Sequence, residues 1–157
     1  MMSNSSVLIT ILIIGRNTSK QLKELLDSIE CQKLTVKNNI DILYIDDCSD
    51  DNSIETFKLH KIKFPKQCIE NSVNLGRSKS RNRGIKSSKG NYIVFLNSNV
   101  KIIGTNFLQV YVNAISNDID AGFGRIEYES KDKSFQKYLN HKYRGSNSAT
   151  NHEVIST

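Results

Sequence analysis

Three features of the sequence predict a mainly parallel α/β domain. An apolar, β-branched run at 7–14 has the look of a strand covered on both faces. Amphipathic helical stripes alternate with two further apolar runs, at 40–45 and 92–96. Each of the three runs stops abruptly in a polar cluster: Gly15-Arg16-Asn17, Asp46-Asp47 and Asn97-Ser98-Asn99. Strands alternating with helices imply β-α-β units. Such sheets bind ligands beyond the carboxyl ends of their strands, so the three clusters predict one shared site.

The elements follow in order. Residues 1–6 are polar and expected to be loose. The first strand ends at Gly15, which lets the chain turn. Ser19 is the expected N-cap of a helix in which Leu22, Leu25, Leu26 and Ile29 recur at i, i+3, i+4 and i+7. The second strand, 40–45, runs into the cluster 46–53, which caps and opens a helix with Ile54 and Phe57 as its stripe. Pro65, the only proline, breaks the chain before a short segment at 67–70. Asn74-Leu75-Gly76 is a turn, and 78–87 reads as a very basic helix closed by Gly90. After the third strand, 106–115 reads as a helix, 121–128 as a strand and 131–143 as a helix.

Composition bounds the function. The 157 residues are enough for one domain with a real core, 38% of them hydrophobic. Lys and Arg number 22 against 16 Asp and Glu, a net +6 that suits a nucleotide diphosphate, an anionic membrane surface or nucleic acid. Cys31, Cys48 and Cys68 are odd in number and widely spaced, which speaks against a zinc site and a secreted disulfide framework. The run at 7–14 is too short to span a bilayer and lacks the flanks of a signal peptide. A cytoplasmic location is expected, with the inner face of the membrane as its variant.

Each polar motif has a plain reading beside the functional one. Asp46 and Asp47 repel each other at a strand end, and something must offset that cost. Either Asp47 accepts hydrogen bonds from a base or ribose, or both carboxylates cap the next helix together with Ser49 and Asp50. Asn97-Ser98-Asn99 is by itself an Asn-rich turn. Its amides could ligate a hard cation only without the charge that a Mg²⁺ or Mn²⁺ diphosphate site needs. Arg77, Lys79, Arg81, Arg83, Lys86 and Lys89 cannot all face one way on a helix, so one or two could reach a pyrophosphate while the rest are solvated. No aromatics interleave with these charges, which disfavours nucleic acid as a partner. His60, His141 and His152 read as lone surface histidines. No P-loop, G-x-G-x-x-G or Ser-His-Asp order appears.

Taken together, five segments resemble glycosyltransferase family 2, the large inverting family with the GT-A fold. Residues 11–17, Ile-Leu-Ile-Ile-Gly-Arg-Asn, look like its first strand and P-T-Y-N-type turn. Residues 25–32 carry its L-x-x-S-I-x-x-Q helix, ending at Gln32. Residues 43–53 are similar to V-D-D-G-S-x-D-x-S, and 74–85 to N-x-G-x-x-x-A-R-N-x-G. Residues 89–99 are similar to G-D-Y-I-x-F-L-D-x-D. The resemblance implies a GT-A-like three-layer sandwich, cut short at its C-terminus. Its nucleotide-sugar-binding part would occupy 7–130, and 131–157 would begin the acceptor side.

The resemblance also implies roles. The backbone of Ile14, Gly15, Arg16 and Asn17 lines the nucleoside site, Asp47 meets the base with Asp46 in support, and Arg81 lies near the base or pyrophosphate. Asn97 and Ser98 belong to the donor site, and Asn99 stands at the metal-holding position of D-x-D. The expected donor is a UDP-sugar, with a divalent cation as the family's cofactor and a saccharide or lipid-linked molecule as acceptor. The catalytic base belongs to a later segment; Glu127 and Glu129 come too early in the order, so none is assigned. A second polypeptide supplying the missing half is one expectation. A nucleotide-sugar-binding module without turnover is the alternative.

Overall fold

The computed structural model describes residues 8–35, 39–117, 121–122, 124–126 and 155–156. Four parallel strands form the main sheet: β1 (Leu8–Gly15), β2 (Asn39–Asp46), β3 (Lys66–Glu70) and β4 (Tyr92–Asn97), in the order β3-β2-β1-β4. The helices between them are α1 (Ser19–Glu30), α2 (Ser53–Leu59) and α3 (Arg77–Ser87), and α4 (Phe107–Ser116) follows β4. A separate parallel pair joins β5 (Arg125–Ile126) to β6 (Ile155–Ser156). The strand expected at 121–128 is thus described only as β5, and the helix expected at 131–143 lies outside the described residues.

The central strand β1 is buried on both faces, which explains why it lacks an apolar–polar alternation. On one face Ile9, Ile11 and Ile13 of β1 pack with Leu22, Leu25, Leu26 and Ile29 of α1, Phe57 of α2, and Phe107, Leu108 and Val112 of α4. Full burial of a side chain of this size contributes about 1.5–3 kcal/mol. Tyr44 of β2 and Phe57 stack at a 5.1 Å centroid distance on the same face. The other face is thinner: Leu12, Ile14, Leu43 and Ile45 lie under α3. A Cβ at Gly84 would come within 2.5 Å of Leu12, so the missing side chain is what brings α3 down onto β1.

Two expected helix details differ. Ser19 is the first residue of α1 rather than its cap; Thr18 precedes it and makes no side-chain cap. The exposed backbone donors are satisfied from another element instead, because Ser19 N–H reaches Asp51 Oδ2 at 3.0 Å and Thr18 N–H reaches Ser53 Oγ at 3.0 Å. His60 is not a lone surface histidine. Its side chain is 10% exposed and its Nε2 lies 2.8 Å from Asp27 Oδ1, joining the end of α2 to α1. His141 and His152 lie outside the described residues.

Candidate functional site

Parallel pairing sets Gly15 beside Asp46 and Ile14 beside Asn97, so the three polar clusters share the carboxyl edge of the sheet. Backbone bonds continue past the strand ends. Asp47 N–H donates to Gly15 O at 2.9 Å, and Ser98 N–H donates to Ile14 O at 2.9 Å.

The turns after β1 and β2 are zipped together. Asn17 N–H donates to Ser49 Oγ at 2.9 Å, and Asp50 N–H donates to Asn17 Oδ1 at 2.8 Å. Arg16 Nε donates to Cys48 O at 3.1 Å, and its guanidinium stands 3.5 Å from Asp50. Both turns pass through the left-handed region, at Asn17 (φ 53°) and Cys48 (φ 63°). Asn tolerates that conformation because its short amide bonds locally; Cys has no such compensation.

The two aspartates divide their labour. Asp46 is fully buried, and its carboxylate accepts the Tyr44 hydroxyl at 2.9 Å and both the N–H and hydroxyl of Ser49, at 2.8 and 2.6 Å. Burial and the Asp46 charge push the Tyr44 hydroxyl well above its ordinary range. Asp47 Oδ1 accepts Asn71 Nδ2 and Leu75 N–H, each at 2.8 Å, while Oδ2 accepts Gly76 N–H at 2.9 Å. Burial opposes its ionisation, but these bonds, with Ser80 adding to them, outweigh burial and hold its pKa below the usual carboxylate value. Capping of α2 falls to neither: Ser53 N–H donates to Asp51 Oδ1 at 3.0 Å.

At the end of β4, Ser98 is 2% exposed, and its hydroxyl meets Thr18 Oγ1 at 2.6 Å instead of facing outward. The space for this exists because Gly15 has no Cβ; one there would lie 2.1 Å from Ser98 Oγ. Asn97 is half-buried and Asn99 exposed. Arg81 on α3 reaches across, with Nη2 3.5 Å from Asn97 Oδ1. Arg83 is turned away and donates to Glu70 O at 3.0 Å and to Asn71 Oδ1.

All ten expected positions therefore lie on this edge or reach it. Asn71 and Thr18 also organise it and carried no signal in the sequence, because their partners are 24 and 80 residues away, and Asp51 of the cluster 46–53 adds a bond to α1 across 32 residues.

The family model for glycosyl transferase family 2 matches residues 10–155. The chain belongs to glycosyl transferase family 2. Among similar proteins, an uncharacterized glycosyltransferase of Escherichia coli, YibD, is 28% identical over 119 residues, covering 76% of this chain and 34% of that protein. A poly(ribitol-phosphate) beta-glucosyltransferase of Bacillus spizizenii is 32% identical over 121 residues, 76% of this chain and 19% of that protein. The chain thus spans about a third or less of these two relatives. The crystal structure of S. aureus TarS 1-349 in complex with UDP-GlcNAc superposes with a TM-score of 0.61 at 23% identity, over 71% of this chain and 32% of that one. The fold is that of the GT-A glycosyltransferases. Among the described residues, no helix is long and apolar enough to cross a membrane.

The divalent cation of the family has a poor seat here. The D-x-D positions offer two neutral amides, and a guanidinium already faces Asn97. Among the described residues, no three His, Cys, Asp or Glu side chains converge as a ligand set. This donor set does not fit a Mg²⁺ or Mn²⁺ ion, which needs anionic oxygens to be held beside a diphosphate.

Proposed function

We propose that this chain is the donor-side part of an inverting glycosyltransferase that binds a UDP-sugar and serves transfer to a saccharide or lipid-linked acceptor of the cell envelope. The observation that carries the reading is the shared carboxyl edge, where the backbone bonds of Asp47 to Gly15 and of Ser98 to Ile14 hold three strand ends together. In this reading the backbone of Ile14 to Asn17 and the Asp47 side flank the base, Asp46 braces the turn, and Asn97 and Asn99 face the diphosphate. Residues 7–130 form the donor-side part and 131–157 begin the acceptor side. UDP-GlcNAc bound to TarS supports a uridine diphosphate donor, and the poly(ribitol-phosphate) relative supports an envelope polymer as acceptor. Both relatives carry the rest of their length in the same chain, which lends no support to a second polypeptide.

Transfer requires an acceptor hydroxyl deprotonated by a carboxylate and aligned opposite the departing diphosphate, so that attack inverts the anomeric carbon. The donor side contributes binding, orientation and charge on the leaving group. The neutral amides at 97 and 99 favour a second reading, a nucleotide-sugar-binding module without turnover.

Calorimetric titration with UDP-GlcNAc and UDP-glucose tests the proposal, with UDP release measured in parallel. Saturable binding that Asn17→Ala weakens is the expected result. A folded protein that binds neither nucleotide sugar would overturn it, and binding without UDP release would select the second reading.

A further inference from the structure

Two neutral amides stand where the family pattern has D-x-D, and a basic side chain of α3 reaches one of them. Residues 77–89 carry Arg77, Lys79, Arg81, Arg83, Lys86 and Lys89 and no acidic residue. Two of the nearby arginines are already engaged. Arg83 is held by Glu70 O and Asn71, and Arg16 by Cys48 O and Asp50. Arg81 differs. Its guanidinium is exposed, pairs with no carboxylate among the described residues, and rests 3.5 Å from the Asn97 amide. Its neighbours Ser80 and Gly84 are buried against the sheet, which anchors the helix that presents it.

We infer that Arg81 replaces the divalent cation: its guanidinium, steadied by Asn97, binds the diphosphate of the nucleotide, and donor binding needs no metal. The inference rests on the nucleotide-sugar reading above. A planar guanidinium can bond two phosphate oxygens at once, and being always charged it needs no cofactor to supply positive potential. With neutral amides at 97 and 99, the Asn97 carbonyl orients the guanidinium without neutralising it, and its full charge is left for the phosphates.

Calorimetry with UDP, GDP and uridine, each in EDTA and in Mn²⁺, tests this on the wild-type chain, Arg81→Gln and Asn97→Asp/Asn99→Asp. UDP or GDP should bind wild type equally with and without metal. Arg81→Gln, with an unchanged thermal melt, should weaken the diphosphate by about tenfold or more while uridine binding stays the same. The double aspartate variant should bind the diphosphate poorly in EDTA and recover in Mn²⁺. Wild-type binding that requires Mn²⁺ would overturn the inference and leave the nucleotide-sugar reading standing. Equal loss of UDP and uridine on Arg81→Gln would also overturn it. Failure of a folded protein to bind any of the three would end both.

Discussion

Gly76 donates its backbone N–H to Asp47 Oδ2 at 2.9 Å, so the second aspartate of the pair holds the entry to α3 as well as the end of β2. Asn71 and Leu75 complete the attachment at 2.8 Å each. In Asp47→Asn one carboxylate oxygen becomes an NH₂ group that faces donors. The expected cost is about 1–3 kcal/mol, the usual penalty for buried donors left without an acceptor. Urea unfolding measures it, and nucleotide titration of the folded variant should show weakened binding, because Arg81 rides on the same helix.

The carboxylates of this edge set an acid limit. Asp47 is held below its ordinary 3.8 as described above. Asp51 is lowered too: burial opposes ionisation, and bonds from the Ser53 hydroxyl and the Ser19 and Ser53 N–H groups outweigh it. A group whose folded pKa is depressed contributes stability that is fully present above its unfolded value and lost as pH falls through the folded one. Unfolding free energy should therefore be level from neutral pH to about 5 and decline below about 4. Asp51→Asn should lower the plateau and flatten that decline; an unchanged acid limb in this variant would count against the assignment.

Cys48 occupies a left-handed conformation, φ 63°, at the position where the family pattern has glycine. A Cβ there costs about 1–2 kcal/mol, part of which glycine returns through the entropy of the unfolded chain. Cys48→Gly should stabilise the fold by about 0.5–1 kcal/mol. Paired urea midpoints read this directly. Asn17→Gly, at φ 53°, should gain less, since it also removes the amide that accepts Asp50 N–H.

Gly15→Ala places a methyl 2.1 Å from Ser98 Oγ and 2.5 Å from Ser98 Cβ. The Thr18–Ser98 bond must break or the end of β4 must move, at an expected cost of about 1–3 kcal/mol. Adding Ser98→Gly removes the two nearest of the three clashing atoms, leaving Thr18 Oγ1 at 2.9 Å, and should restore part of the stability in a thermal melt. A Gly15→Ala protein that melts like wild type would refute the packing described for this corner.

Much of this architecture was legible in the sequence because it is local. The run at 7–14 and the spacing of Leu22, Leu25, Leu26 and Ile29 read out burial directly, and β1 and α1 follow them. The polar clusters marked the carboxyl edge for the same reason. What did not show was which groups satisfy one another. Capping was one of two readings open for Asp46 and Asp47, yet it belongs to Asp51 of the same cluster, whose carboxylate serves α1 and α2 at once. Ser98, expected in the donor site, sits at that edge as a buried post against Thr18. His60 looked solitary and meets Asp27 across 33 residues. Partners so distant in the chain have no spacing rule, so only folding reveals them.

The zipped turns after β1 and β2 carry one last consequence. Asn17, Cys48, Ser49 and Asp50 are fixed by one another before any nucleotide arrives. A wall built in advance spends little of the association free energy on ordering itself. It also cannot remould around a misfit, so under the proposed function discrimination among bases on this side would come from rejection by shape.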